Sequence, residues 1–231
     1  MTNWEKSKIL FNSARINTAE LPEDHYTHLK AIAEQARKEG ITYNKDLAGL
    51  IKEEYQIPNI GEDIFNFLSK TLYEQPFIEQ WKVINVNTVT TPITLSSCWV
   101  NFQKKYEFNP LHNHTGFASF IIFLNIPYDL EEENKVFPPA SFDHGNPNSK
   151  LVFAGHSPVN GGIEVMAIPV DKSFEGKMLM FDAKHFHMVY PFYTSDKERV
   201  TISGNFQFFT GANDAKKTIK ETTNINIIGK N

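Results

Sequence analysis

Near residue 81 the hydrophobic period of the chain changes from helical to alternating, and this change limits the fold more than any other feature. Beyond it, short runs rich in β-branched and aromatic residues follow one another: "WKVINVNTVTTPITLSSCWVNFQ", "SFIIFLNI", "KLVFAG", "GIEVMAIPV", "KMLMFD", "HMVYPF" and "RVTISGNFQFF". Turn-forming stretches such as "HGNPNS", "SPVNGG" and "TSDKE" separate them. Strand-like runs at this spacing point to an antiparallel sandwich or jelly roll.

Before residue 81 the pattern is helical. "PEDHYTHLKAIAEQARKEG" places Leu29, Ile32, Ala33 and Ala36 three and four positions apart and stops at a glycine, and "NKDLAGLIKEEYQI" and "EDIFNFLSKTLYEQ" show similar spacing. The expected class is therefore α+β, mainly β. Residues 1–80 are read as a helical lobe packed against one sheet, 81–210 as the β core and 211–231 as a polar tail.

Composition closes several alternatives. With 231 residues and 41% hydrophobic content the chain can bury one sizeable core. No stretch approaches the roughly 20 apolar residues that a membrane-spanning helix needs, and "MTNWEKSKILFNSAR" lacks the apolar segment of a signal peptide, so a cytoplasmic location is expected. Cys98 is the only cysteine, which excludes an intrachain disulfide and a cysteine-based zinc site. Any metal must be held by His, Asp or Glu. A net charge of -4 gives no general attraction to nucleic acid phosphates.

Six of the eight histidines lie between positions 112 and 187, and two pairs repeat a local pattern: His112-x-His114 and His185-x-His187. On an extended segment residues i and i+2 point the same way, so His112 and His114 can face one cavity. His187 is the candidate third ligand, since it starts a strand that a jelly roll brings beside the first pair. His185 falls in the turn before that strand, and His144 and His156 lie in turn-rich segments that suit solvated histidines.

In "ERVTISGNFQFF", Arg199, Thr201, Ser203, Asn205 and Gln207 share one face, and Val200, Ile202, Phe206 and Phe208 the other. A solvent face is the ordinary reason for such alternation. An arginine twelve residues after His187 offers a second one: a polar stripe lining a pocket, with a guanidinium fork for a carboxylate and Thr201 adding a hydroxyl. "CWVNFQ" carries a comparable stripe in Trp99, Asn101 and Gln103, equally readable as a half-buried strand.

These residues resemble the Fe(II)- and 2-oxoglutarate-dependent oxygenases of the double-stranded β-helix (jelly-roll, cupin-like) fold, with similarity to oxygenases of tailed marine phages. The resemblance rests on "CWVNFQKKYEFNPLHNHTGFASFIIFLNIP", "GKMLMFDAKHFHMVYPF" and "ERVTISGNFQF", roughly residues 80 to 210. It implies Fe(II) as metal and 2-oxoglutarate as co-substrate. His112 matches the first metal-binding histidine, His187 the distal one, and Arg199 with Thr201 the anchor of the far carboxylate. Asn101, Gln103 and Asn205 join that anchor as pocket-lining candidates.

The sequence departs from the family at His114, where a carboxylate usually stands. A three-histidine site, a two-histidine site completed by a small ligand, and a site starting at His114 all fit the spacing; the first keeps every ligand position. The implied activity is oxidation, most often hydroxylation, of an unidentified substrate with release of succinate and CO2. Two other readings are a cupin-type three-histidine metalloprotein that does not use 2-oxoglutarate, although Thr115, Gly116, Phe117, Ala118 and Ser119 stand where cupins place a glutamate, and a non-catalytic jelly roll used for interaction. The acidic opening Asp129, Glu131, Glu132 and Glu133 of the long connection reads as a solvated surface.

Overall fold

The structure is a computed structural model and describes residues 16–75, 93–137, 146–156 and 161–208. Strands β1 (Ile16–Glu20) and β2 (Glu54–Gln56) and helices α1 (Glu23–Glu39) and α2 (Glu62–Tyr73) come first. Then follow β3 (Ile93–Gln103), β4 (Asn109–His112), β5 (Ala118–Asn125), helix α3 (Leu130–Val136), β6 (Leu151–His156), β7 (Ile163–Ile168), β8 (Lys177–Asp182), β9 (Phe186–Val189) and β10 (Arg199–Phe208).

All strand pairs are antiparallel, in a six-stranded sheet ordered β1-β8-β5-β10-β3-β2 and a four-stranded sheet ordered β4-β9-β6-β7. From β3 to β10 the chain moves back and forth between the two sheets. This is the jelly-roll core expected from the short, regularly spaced strands.

Both faces of the larger sheet are buried, for different reasons. Cys98, Val100 and Phe102 of β3, Phe120 and Ile122 of β5, and Ile202 and Phe206 of β10 form one apolar cluster with Leu29, Ala33 and Ala36 of α1 and Ile64, Leu68 and Leu72 of α2. Fully burying such a side chain contributes about 1.5–3 kcal/mol, so this face holds the helices in place. A second cluster lies between the sheets, where Ile121 and Phe123 meet Leu151, Phe153, Met166, Ile168, Leu179 and Phe181.

The first third of the chain differs from a purely helical lobe. β1 pairs with β8 and β2 with β3, so this region extends the main sheet at both edges. The periodicity of "NKDLAGLIKEEYQI" does not become a helix. Only the short turn Asn44–Asp46 is helical, and the backbone is drawn out by hydrogen bonds from Tyr43 N–H to Glu54 O (2.9 Å) and from Leu50 N–H to Phe108 O (2.8 Å). Tertiary pairing here overrides local propensity.

α1 and α2 form where the spacing predicts them, and Gly40, at φ 68°, stops α1 as a left-handed cap. α3, capped by the Asp129 carboxylate on the N–H groups of Glu131 and Glu132, replaces the expected open connection. Glu133 in that helix is fully buried rather than solvated, and its carboxylate accepts from the N–H groups of Tyr193 and Thr194 and from Thr194 Oγ1. The strand run before Ile93, the 211–231 tail and His144 lie outside the described residues. No helix among the described residues is long and apolar enough to cross a membrane.

Candidate metal centre

The sheet register brings two histidines together. His112 ends β4 directly opposite His187 on β9. His114 lies just beyond β4, its N–H held by Ala183 O at 2.8 Å. Gly116 then turns the chain into β5 at φ 79°, so close to Phe206 that a Cβ would lie 2.2 Å from its carbonyl oxygen. Glycine is required there by backbone geometry.

One ring nitrogen from each of His112, His114 and His187 lies within 4.8 Å of the others, with His114 Nε2 and His187 Nε2 3.2 Å apart. Two nitrogens bound side by side to one ion at bonds of about 2.1 Å would stand at about this separation. The rings are also oriented. His112 Nδ1–H donates to Pro110 O at 2.6 Å and His187 Nδ1–H to His185 O at 3.0 Å. These bonds leave the Nε2 lone pairs for the cluster, as backbone carbonyls commonly do for metal-binding imidazoles.

Burial pushes all three pKa values down. His114 falls to about 3, through burial first and then the charges of His112 and Lys184; His187 lies well below the usual histidine value through burial and its two histidine neighbours; His112 is lowered by burial, against the raising effect of its backbone hydrogen bonds. Three neutral imidazoles at neutral pH are a metal-ready donor set. The residues present therefore fit a divalent transition metal.

The cavity containing this cluster is also lined by Trp99, Asn101, Gln103, Arg199, Thr201 and Ser203. In the β3–β10 register Gln103 faces Arg199, Asn101 faces Thr201 and Trp99 faces Ser203. Trp99 Nε1–H donates to Asn101 Oδ1 and Asn101 Nδ2–H to Thr201 Oγ1, both at 3.1 Å, so the Thr201 hydroxyl proton is left to point elsewhere. The Trp99 ring stands 5.8 Å from that of His114.

Arg199 is only 3% exposed. Its guanidinium donates to Gln103 Oε1, to Tyr128 Oη and to Ser149 O. Each of these partners is neutral. A buried guanidinium without a directly bonded carboxylate is costly, and an anion bound in the cavity would offset that cost.

Every histidine proposed as a ligand thus reaches the cluster, and Arg199, Thr201, Asn101 and Gln103 reach the same cavity. Asn205 does not line it. Its amide bridges Ser119 Oγ (2.7 Å) and Ser97 Oγ (2.8 Å), tying β5 and β3 to β10 further along the strand. His156 sits at the exposed end of β6, and His185 contributes its carbonyl to His187. Tyr128 and Ser149, which hold Arg199, carry no local sequence pattern; only the return of the chain after β5 and before β6 places them there.

Residues 97–205 match the sequence family described as "Putative 2OG-Fe(II) oxygenase". No curated protein matches the chain in sequence. A prolyl hydroxylase from Trichoplax adhaerens, solved with a hypoxia inducible factor oxygen degradation domain peptide, aligns over 96% of this chain and 98% of its own, at 12% identity and a TM-score of 0.52. SnoN, a non-heme alpha ketoglutarate dependent epimerase from nogalamycin biosynthesis, aligns over 88% and 80% at 12% identity and a TM-score of 0.50. At these identities the likeness is one of fold. The match spans the strands that carry the histidines and the arginine, and the cluster fits Fe(II) and 2-oxoglutarate use.

Proposed function

We propose that this protein is an Fe(II)- and 2-oxoglutarate-dependent dioxygenase that hydroxylates a still unidentified substrate. The observation that carries the reading is Arg199, buried among neutral partners in the cavity wall that also holds the three histidines. His112, His114 and His187 would hold the metal. Arg199 and Thr201 would hold the far carboxylate of 2-oxoglutarate, with Gln103, Tyr128 and Ser149 fixing the guanidinium and Asn101 the hydroxyl.

Iron with 2-oxoglutarate supplies oxidative decarboxylation to succinate and CO2, coupled to oxidation of a second substrate. The chain's own task is to position and to exclude water. Ile121, Phe123 and Leu151 floor the cavity with apolar surface, which strengthens the charge pairing at Arg199. The backbone carbonyls of Pro110 and His185 keep His112 and His187 turned toward the ion. A cytoplasmic site of action and the likeness to phage oxygenases belong to the same reading.

His114 in place of a carboxylate favours one rival, a three-histidine metalloprotein that does not use 2-oxoglutarate. An anaerobic titration with Fe(II) and 2-oxoglutarate separates the two. A saturable visible charge-transfer band that is weakened in Arg199→Ala is expected. Iron uptake without the band would favour the rival, and no iron uptake would leave a jelly roll used for interaction.

A further inference from the structure

Arg199 is held by three acceptors, and two of them, Tyr128 Oη and Ser149 O, come from the connection between β5 and β6 and not from the sheet. Strand pairing fixes Gln103 opposite Arg199. No register fixes the other two, so another part of the chain has to hold them.

Glu133 lies in that connection, on α3, and is fully buried. Its carboxylate accepts from Tyr193 N–H (3.0 Å), Thr194 N–H (2.7 Å) and Thr194 Oγ1–H (2.5 Å), which clamps α3 onto the segment before β10. Its backbone carbonyl accepts from Asn148 Nδ2–H at 3.0 Å, next to Ser149 in the chain. Ser149 stands at φ 59°, a left-handed conformation unfavourable for a residue with a side chain, and its N–H is held by Pro191 O at 2.9 Å. In that conformation its carbonyl accepts from both Arg199 Nη1–H (3.0 Å) and Tyr128 Oη–H (3.2 Å).

Tyr128 joins the same assembly from the other side. Its ring centroid lies 5.0 Å from that of Phe192, the neighbour of Tyr193. Burial raises the phenol above its usual pKa, Arg199 works against this and the Glu133 charge adds to it, so the hydroxyl keeps the proton it gives to Ser149 and accepts from Arg199 Nη1–H at 3.0 Å. A strained carbonyl, a buried phenol and a buried carboxylate thus form one bonded path that ends on the guanidinium.

We propose that Glu133 is a positioning residue that, through Tyr128 and Ser149, fixes where the Arg199 guanidinium stands and so sets the chain length of the dicarboxylate the cavity accepts. This rests on the function proposed above and deepens it: the histidines set the metal end of the co-substrate, Arg199 the far end, and Glu133 the distance between them. A guanidinium released from two of its three acceptors can follow a carboxylate displaced by one methylene.

The test titrates full-length protein, loaded anaerobically with Fe(II), with 2-oxoglutarate and with 2-oxoadipate, which is one methylene longer. The charge-transfer band gives both affinities. Wild type should prefer 2-oxoglutarate by about 30-fold and Glu133→Ala by about threefold or less. Glu133→Gln, whose amide oxygen can still accept from Tyr193 and Thr194, should return the preference to within about threefold of wild type. Equal weakening of both ligands in Glu133→Ala, the mark of a merely structural role, or an unchanged preference would overturn the proposal. Where Glu133→Ala does not fold, Thr194→Val removes only the hydroxyl donor and should lower the preference about twofold to threefold; no change there overturns it equally.

A second readout needs no iron. In the metal-free protein, NMR should show the Arg199 Nε–H, donated to Gln103 Oε1, exchanging with solvent at least about tenfold faster in Glu133→Ala or, more weakly, in Thr194→Val, while the Trp99 Nε1–H on Asn101 in the same wall keeps its rate. Acceleration of both signals alike, or of neither, would count against positioning. If the band never forms in the wild type, the 2-oxoglutarate reading has failed on its own, and the exchange rates decide whether Glu133 fixes Arg199.

Discussion

The two faces of strand β10 are buried to a similar degree and built from opposite materials. Ile202 and Phe206 turn to the helices, while Arg199 and Ser203 turn inward with exposures of 3% and 7%. One face is held by apolar burial alone. The other consists of polar groups that must each find a partner, and those of Arg199 are all neutral. The comparison teaches that alternation locates a site only after the second face is known to be covered.

Exchanging the chemistry of the helix-facing side should have the largest effect. Ile202→Asn leaves a cavity and buries an amide without partners, and about 4 kcal/mol or more of stability should be lost. Chemical denaturation measures it, and a loss under about 1 kcal/mol would show that the helices do not depend on this face.

On the inner side, Arg199→Met should act on binding instead of folding. Affinity for 2-oxoglutarate should fall about 100-fold, roughly 2.7 kcal/mol, while the melting temperature changes little, since removal of a buried charge is set against the Gln103 and Ser149 acceptors that lose their donor. A large drop in melting temperature would mean that the guanidinium is chiefly structural.

Acid should distinguish the faces less strongly. The three histidines have folded-state pKa values below their unfolded ones, so the unfolded chain binds more protons as pH falls below about 6.5. Their contribution to metal-free stability is full above that pH and declines toward pH 3, where His114 titrates at about 3. Glu54, pushed up to about 7 by burial and by Glu107, works in the opposite direction between its unfolded value and 7. The measurement is therefore a difference: melting temperature should fall less between pH 7 and pH 5 in His114→Gln than in wild type. Parallel curves would show that His114 is not held neutral by the fold.

The smallest change is expected outside both faces. Arg37 on α1 bridges Glu53 and Glu198 with its side chain 30% exposed, and its guanidinium carbon lies 4.1 Å from the Phe102 ring centroid. Arg37→Ala should cost about 1 kcal/mol or less, diminishing in high salt. A larger, salt-insensitive loss would give the weight to its stacking on Phe102.

Much of this was legible in residue order. The change of period near residue 81, the regular strand spacing and the glycine stop at position 40 determine a helical segment followed by antiparallel strands, because side-chain period and left-handed glycine are local properties. His112-x-His114, His187 and Arg199 were visible as candidates for the same reason. What only the tertiary structure decided is what covers each face and what each polar group touches. Whether "NKDLAGLIKEEYQI" coils or is drawn out along β3, whether Asn205 meets the cavity or two serines, and whether Tyr128 and Ser149 support Arg199 depend on pairings between segments distant in sequence. Such contacts have no period along the chain, and their energies exist only once both partners are brought together.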